Sequence, residues 1–364
     1  MAEPVRVGVV GTSWWADGFH LPNLASHPRA AITAICGRNR ERADGLAQKY
    51  TIQHVFTDYQ AMIASGKLDA LVVVTPDASH YPITMAALDA GLHVLCEKTL
   101  ALTAPQAREM YEKAEAAGLK HMVMFTWRFL PHFRYLRQLV EEGYVGRCYH
   151  AHFRDQGGYG REAAYQWRFD RQYGNGILGD LGSHMIDLAR WYVGDIARVS
   201  GHLATFVKRP GPEGQVLEAA NDAALLALEF ENGAQGTIHV SAVTDVGERE
   251  QDCQLALYGE AGSLELDFTF ASAELRGVRQ GPGQWQTLEV PDELWRDVAV
   301  AETGSFLDRN FDVFRQQPVG HRLFIDAILE NRPVPSNFYD GWKAQQVIDA
   351  AIASHEQGQW IAVA

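Results

Sequence analysis

Short apolar runs alternate with stretches of helical period over the first third of the chain. Val5–Val10, Ala31–Cys36, Ala70–Thr75, His93–Cys96 and His121–Phe125 are the apolar runs. The most continuous of them, Ala70–Thr75, has the pattern of a strand covered on both faces in a parallel sheet. Between the runs, apolar positions recur at helical spacing. Ala43, Leu46, Ala47 and Tyr50 fall at i, i+3, i+4 and i+7 behind Asn39, a residue suited to an N-cap. Asp58 is a second cap candidate, and Pro82–Ala90 reads as a helix with Gly91 just past its end. Thr103 is expected to cap a helix whose Ala107, Met110, Tyr111 and Ala114 share a face and which stops at Gly118. Pro22 is expected to kink or close the helix that follows the first strand. Strand and helix in strict alternation with short joints predict an open parallel sheet with helices on both sides.

The remainder follows another pattern. Cys148–Phe153 reads as a strand, followed by a long glycine-rich stretch, Asp155–Gly179, and a helix near Asp180–Tyr192. Val199–Phe206, Ala224–Phe230, Gln235–Ser241, Gln254–Tyr258 and Ser263–Phe268 read as successive strands. Asn232-Gly233 has the sequence of a hairpin turn, and 259–262 supplies another. Helices are expected over Val319–Asn331 and Asp340–Glu356. These elements predict an α+β domain with a largely antiparallel sheet. The division is therefore 1–125 for an α/β domain and 126–364 for the second, with a C-terminal helix able to pack back on the first. A length of 364 residues agrees with two domains of typical size.

Composition narrows the class. Hydrophobic residues make up 47% and charged residues 21%, the balance of a globular protein with a sizeable core rather than a disordered regulator. Thirty-two basic against 45 acidic side chains give a net charge of −13, which provides no overall footprint for nucleic acid or an anionic membrane. The longest purely apolar run is six residues, Ala223–Leu228, far short of a membrane span. The chain opens directly into its first strand without a signal-peptide pattern. Cys36, Cys96, Cys148 and Cys253 have no CxxC spacing and read as free thiols, so a cytoplasmic location is expected.

Four constellations have the residue types for chemistry. Gly8-x-x-Gly11-x-Ser13-x-x-Ala16 follows a strand and opens a helix, where glycine lets backbone N–H groups approach a pyrophosphate. Only Gly11 is a glycine match to G-x-G-x-x-G/A. The second strand ends in Gly37-Arg38-Asn39-Arg40, with no carboxylate at the place where an NAD binder presents one to the ribose. Positive charge from Arg38 and Arg40 there favours NADP, although both can equally be solvated loop residues. Glu97-Lys98 stands at the carboxyl end of an apolar strand, where ligands bind in open α/β sheets. Asp180, His184 and Asp187 are spaced by four and three, which places a histidine between two carboxylates on one helix face. No third ligand with metal spacing accompanies Asp180 and His184, and HExxH is absent, so no metal is expected. His150 and His152 alternate on a strand and read as sheet residues.

With these motifs in order, the sequence resembles the glucose–fructose oxidoreductase/inositol dehydrogenase (Gfo/Idh/MocA) family over nearly its whole length. The resemblance rests on Val7–Ser13, Val74–His80, Gly91–Lys98, Trp167-Arg168, Gly176–His184 and Phe338–Trp342. It implies a Rossmann domain, an α+β domain whose open sheet serves as a homodimer or homotetramer interface, and an active site in the cleft between the domains. The activity implied is reversible hydride transfer between NAD(P) and a secondary alcohol carbon of a sugar, inositol or related polyol. Lys98 corresponds to the family's catalytic lysine, His184 to its acid/base and Asp180 to the neighbouring carboxylate. Gly8, Gly11, Thr12, Ser13, Trp14, Arg38, Thr75, Pro76, His80, Glu97 and Lys98 fall at cofactor positions. Arg128, Trp167 and Arg168 join Lys98, Asp180 and His184 at the substrate.

Two departures stand out. Thr99 replaces the proline that usually follows Lys98. Trp14 and Trp15 are bulkier than the family pattern and can either pack on the cofactor or belong to the core. Alternatives within enzymes are a reductase of non-sugar diols or ketones, or an NAD-dependent glycoside-cleaving relative. The alternative of another class is a non-catalytic nucleotide sensor, which has no need of both Lys98 and His184.

Overall fold

The structure, a computed structural model, describes residues 3–281, 283–298 and 304–363. Met1 and Ala2, within the predicted first domain, and Ala364, at the end of the second, lie outside the described residues. The chain divides into two compact units.

In the first unit, six strands form one parallel sheet in the order β3-β2-β1-β4-β5-β6. They are β1 (Val5–Val10), β2 (Ala30–Cys36), β3 (His54–Phe56), β4 (Ala70–Val73), β5 (His93–Cys96) and β6 (His121–Val123). This is the doubly wound order of a dinucleotide-binding fold, with its switch point between β1 and β4. Every residue of β4 is buried, as expected for a strand covered on both faces. The helices include α1 (Leu21–Ala25), α2 (Arg40–Tyr50), α3 (Tyr59–Ala64), α4 (His80–Asp89) and α5 (Ala104–Ala116).

Capping follows the sequence in two cases. Asn39 Oδ1 accepts from the Arg42 N–H at 2.9 Å, and Asp58 Oδ1 from that of Gln60 at 2.9 Å. Thr103 stands at the cap of α5 but makes no side-chain capping bond. Pro105 in the first turn, which needs no N–H partner, starts that helix instead. Pro22 neither closes nor breaks its helix. The chain is helical from Trp14 to Ala25, with Ala16–His20 in the wider π form, and Leu21 N–H reaches the Ala16 carbonyl five residues back. That wide turn stands directly before the residue that has no N–H to offer.

The first unit also takes in Phe311–Trp342, which the sequence pattern assigned to the second domain. The reason is burial. Helix α9 (Gly320–Glu330), which follows α8 (Phe306–Gln316), packs on α1 and β1, and Phe314 and His321 lie against Phe19. Beyond it, the Ser336 carbonyl accepts from Val123 N–H at 2.9 Å, extending the hydrogen bonding of β6.

The second unit holds nine strands in the order β14-β13-β12-β11-β7-β10-β9-β8-β15. They are β7 (Cys148–Gly157), β8 (Ile196–Ala204), β9 (Ala223–Phe230), β10 (Gln235–Ser241), β11 (Gln251–Gly259), β12 (Gly262–Thr269), β13 (Ala273–Arg279), β14 (Gln286–Thr287) and β15 (Ile361–Ala362). Among the described residues, only the β7–β10 pair is parallel; every other pairing is antiparallel. Burial alternates along β9, β10 and β12, so one face packs inward and the other does not. Helix α6 (Pro131–Glu141) packs on β12 and β13, and α7 (Ser183–Tyr192) packs on β7. Among the described residues, no helix is long and apolar enough to cross a membrane.

Candidate functional site

The strand ends of the first unit set the first cluster. Val10 pairs with Val73 and Val73 with Cys96, so β1, β4 and β5 finish at one level. Residues 11–13, 75–76 and 97–98 therefore emerge along one edge of the sheet. Gly11 has φ +128°, and a Cβ there would stand 2.0 Å from the Val74 carbonyl oxygen. Only glycine permits that crossing. Ser13 Oγ accepts from the Ala16 N–H at 3.2 Å and shapes the turn. Gly8, expected in the cofactor loop, is instead a buried residue inside β1, paired with Ala34 and Leu71.

These residues fit a dinucleotide. The backbone at Gly11 is bare of side chain, and the Thr75 hydroxyl oxygen is buried with no hydrogen-bond partner among the described residues. A buried unsatisfied hydroxyl of this kind is what a polar ligand group satisfies. Trp14 is 71% exposed, while Trp15 stacks on Phe19 at 4.5 Å. The two indoles thus separate: one belongs to the core and one is presented outward. At the end of β2, Arg38 is exposed and makes no ion pair among the described residues, whereas Arg40 is paired with Asp44 at 2.9 Å. The space beside Gly37 is filled by Thr12, whose Cγ2 would lie 2.5 Å from a Cβ there.

Lys98 is the one residue between Val94 and Ala101 that is not buried. Glu97, expected at the cofactor, turns inward. Its Oε1 accepts from Trp15 Nε1 and from His20 Nε2, both at 2.8 Å, and Oε2 accepts from the Lys98 N–H at 3.1 Å. His321 Nε2 lies 2.8 Å from His20 Nδ1, extending the chain into α9. Burial pushes the Glu97 carboxyl upward, but the His20 hydrogen bond and charge, then Lys98 and Trp15, outweigh it and hold its pKa at about 2. Burial, then His20, hold His321 well below the usual histidine value. His80, expected along the cofactor, is also turned inward. Its ring is fully buried beneath the loop, with Nδ1 donating to the Thr99 carbonyl at 2.6 Å and Nε2 to the Thr75 carbonyl at 2.8 Å. The Lys98–Thr99 peptide is cis.

The second cluster lies in the second unit. Asp180 sits in a π turn, Leu178–Gly182, that runs directly into α7. Its Oδ2 accepts from the Tyr159 hydroxyl at 2.6 Å and faces Arg168 Nε at 3.0 Å. Burial of the hydroxyl, then the Asp180 charge, push the Tyr159 pKa well above its usual value, so the phenol remains a donor. The Arg168 guanidinium lies 4.8 Å from the Trp167 ring centroid. Asn221 fixes the approach to this turn: its carbonyl accepts from Ile177 N–H at 2.8 Å and its Oδ1 from Leu178 N–H at 2.9 Å. His184 is buried on α7 beside the Trp127 ring, 6.1 Å between centroids.

Arg128, expected at the substrate, is buried and grips Asp187 with Nε at 2.6 Å and Nη2 at 2.5 Å. Trp191 covers the guanidinium at 5.5 Å. This pair locks α7 rather than presenting a cation. The two carboxylates of the 180–187 run therefore have separate tasks. Tyr159, which holds Asp180, lay unnoticed in the irregular glycine-rich stretch. No local periodicity marks it, and only the fold brings it to Asp180. His20 and His321 were missed for the same reason, although a glutamate closing an apolar strand signals a buried partner. Among the described residues, no group of three or more His, Cys, Asp or Glu side chains is placed to hold a metal ion.

A parallel dinucleotide-type sheet followed by a mixed, mostly antiparallel one, with a lysine at the carboxyl end of β5, defines a two-domain nicotinamide-dependent oxidoreductase. The chain belongs to the Gfo/Idh/MocA family: residues 5–125 match the model for the oxidoreductase family's NAD-binding Rossmann fold, and residues 133–265 match the GFO/IDH/MocA C-terminal domain. It is 27% identical to levoglucosan dehydrogenase of Pseudarthrobacter phenanthrenivorans, over 99% of this chain and 98% of that one. It is 27% identical to the NADP(+)-dependent scyllo-inositol 2-dehydrogenase IolU of Bacillus subtilis, over 79% and 83%. The structure of levoglucosan dehydrogenase in complex with NADH superposes with a TM-score of 0.88 over all of both chains at 23% identity.

Glu97 yields a pH test. Its carboxyl falls from 4.5 to about 2 on folding, so its contribution is complete above pH 4.5 and disappears as the pH drops toward 2. Between pH 7 and pH 3.5, the stability advantage of wild type over Glu97→Gln is expected to shrink by about 1–2 kcal/mol. Urea unfolding at the two pH values checks this, and a constant difference refutes it.

Proposed function

We propose that the chain is an NADP-preferring oxidoreductase acting on a secondary alcohol of a carbohydrate or polyol, with Lys98, Asp180 and His184 at the reacting carbon. The observation that carries this reading is that Lys98 is the accessible residue of an otherwise buried strand end, beside the Gly11 and Thr75 loops. Bound nicotinamide supplies the acceptor for hydride in oxidation and the donor in reduction. Gly11, Thr12, Ser13 and Thr75 hold the dinucleotide, with Trp14 against it. In oxidation His184 takes the hydroxyl proton as the carbonyl forms. Lys98 donates a hydrogen bond to the same oxygen and stabilises the charge that develops on it. Asp180, kept in place by Tyr159 and Arg168, orients the substrate hydroxyls, with Trp167 supplying an apolar surface.

A panel of levoglucosan, methyl glucosides and inositols with NADP(+) or NAD(+), followed at the nicotinamide absorbance band, tests the activity. Tight dinucleotide binding with no turnover by any member would return the sensor reading. His184→Ala is expected to lower kcat at least a hundredfold with dinucleotide affinity unchanged. Undiminished turnover would remove His184 from its role. Arg38→Ala is expected to weaken NADP(+) about tenfold while leaving NAD(+) nearly unaffected, since a charge-assisted bond to a phosphate contributes on the order of 1.5–3 kcal/mol. Equal losses would contradict the preference.

The second sheet supports self-association. Across four adjacent strands, His202, Leu225, His239 and Arg154 align by register on one face, and Leu225 is 51% exposed. We place the homo-oligomer contact on that face. Sedimentation is expected to show a dimer or tetramer that Leu225→Asp shifts toward monomer, and a wild-type monomer at micromolar concentration would end this reading. All four cysteines are free thiols, three of them buried, which supports a cytoplasmic enzyme.

A further inference from the structure

Lys98 is flanked by two inward-facing residues, Glu97 and Thr99. Glu97 is anchored through Trp15 and His20. On the other side Thr99 is also buried, and its Oγ1 donates to Asp77 Oδ2 at 2.8 Å. The Thr99 carbonyl accepts from His80 Nδ1 at 2.6 Å, while His80 Nε2 donates to the Thr75 carbonyl at 2.8 Å. Both acceptors of the ring are carbonyl oxygens, so the imidazole needs an N–H on each side, and both bonds are made at once only by the imidazolium. Burial opposes that charge. The Cys96 sulfur, the Asp77 carboxylate and the Thr99 carbonyl overcome it and raise the His80 pKa to about 10. Asp77, His80 and Thr99 thus form a buried clasp between the loop after β4, which carries Thr75, and the loop after β5, which carries Lys98.

We propose that Asp77, His80 and Thr99 are positioning residues for Lys98, the Thr99 hydroxyl fixing the backbone on the far side of the lysine while Glu97 fixes the near side. This rests on the reading of Lys98 given above. All three side chains of the clasp are buried. The clasp sets where the ammonium stands relative to the Thr75 loop, and a displacement of an ångström at a reacting group can cost about a hundredfold in rate.

The clearest substitution is Thr99→Val, which keeps the shape and removes the hydroxyl; Thr99→Ser restores it. Thr99→Val is expected to lower kcat tenfold or more, with KM and dinucleotide Kd within threefold of wild type, and Thr99→Ser to recover kcat to within threefold. Asp77→Ala should lose as much. The double variant should lose no more than the worse single one, because the two act through one bond. A kcat in Thr99→Val equal to wild type, or losses that multiply in the double variant, would overturn the clasp. A readout independent of turnover is the NMR signal of reductively 13C-methylated Lys98, assigned by Lys98→Arg. It should shift in Thr99→Val and Asp77→Ala and return in Thr99→Ser. An unmoved signal in folded Thr99→Val or Asp77→Ala refutes the proposal whatever the activity. Lys98→Ala separates the two readings: full turnover there sinks the role of Lys98, whereas its loss beside an unaffected Thr99→Val sinks only the clasp.

Discussion

The first unit depends on one close approach, the backbone of Gly11 against the carbonyl of Val74. With 2.0 Å between a would-be Cβ and that oxygen, no side chain fits at residue 11. The exits of β1 and β4 can therefore run alongside each other at the switch point. Val74 N–H donates to the Val10 carbonyl at 2.8 Å, and Glu97 N–H to that of Val73 at 3.0 Å, so the three strand ends are tied in succession. What makes this arrangement worth its one obligatory glycine is the burial behind it. Val7, Val9, Leu71, Val72, Val73, Val94 and Leu95 are all fully buried. At roughly 1.5–3 kcal/mol for each such side chain, their combined burial far exceeds the conformational cost of a single glycine. Residues more than eighty positions apart in sequence are thereby delivered to one edge.

The apolar core sets the level of the strand ends, and buried polar and charged pairs then set the orientation of what stands on them. Glu97 with His20 flanks Lys98, and Arg128 with Asp187 locks the helix of His184. Arg209 with Asp222 completes the set: its guanidinium bonds the Gly160 carbonyl, next to the Tyr159 that holds Asp180. Pairs of this kind add little net stability compared with well-packed apolar residues, yet removing one partner strands a buried charge and costs about 3–5 kcal/mol. Here each pair adjoins a candidate functional residue. That placement suits a role in specifying one conformation rather than in stabilising the fold.

What the sequence revealed followed the range of the interaction. Five strands of the first sheet, the Asn39 and Asp58 caps and the alternation that demands a parallel sheet are local patterns, and they were legible; β3, three residues long, was not. Helix α9 was recognised as a helix but assigned to the wrong unit, because its partners, α1 and Phe19, lie some 300 residues away. Strands β13, β14 and β15 went unseen: β14 and β15 are two residues each, and pairing rather than pattern defines them. The site showed the same division. Lys98, Asp180 and His184 stood out through motif and spacing. Arg128, His80 and Glu97 looked equally functional, since a charged or polar residue near a motif reads alike whether it faces a ligand or a buried neighbour. In the structure Arg128, Glu97 and His80 have buried partners: Asp187, His20, and the Thr75 and Thr99 carbonyls.

Charge illustrates how far local pairing departs from a global sum. A net −13 opposes the approach of an anionic dinucleotide only if the carboxylates near its loop are uncompensated. Three of them have partners where they stand. Asp17, in the helical turn after Gly11, accepts from Lys49 Nζ at 2.6 Å and from the Tyr50 hydroxyl at 2.9 Å, and Asp44 is paired with Arg40. Glu97 is turned inward, where it accepts from Trp15 and His20. At physiological ionic strength, exposed charges farther than about 8 Å from the loop are largely screened. The field that a phosphate meets there is then governed by backbone N–H groups and by Arg38, which is left without a carboxylate of its own among the described residues. An acidic protein can in this way present a locally receptive surface to an anion, because what the anion meets is set by the pairing of the nearest acids rather than by the net charge.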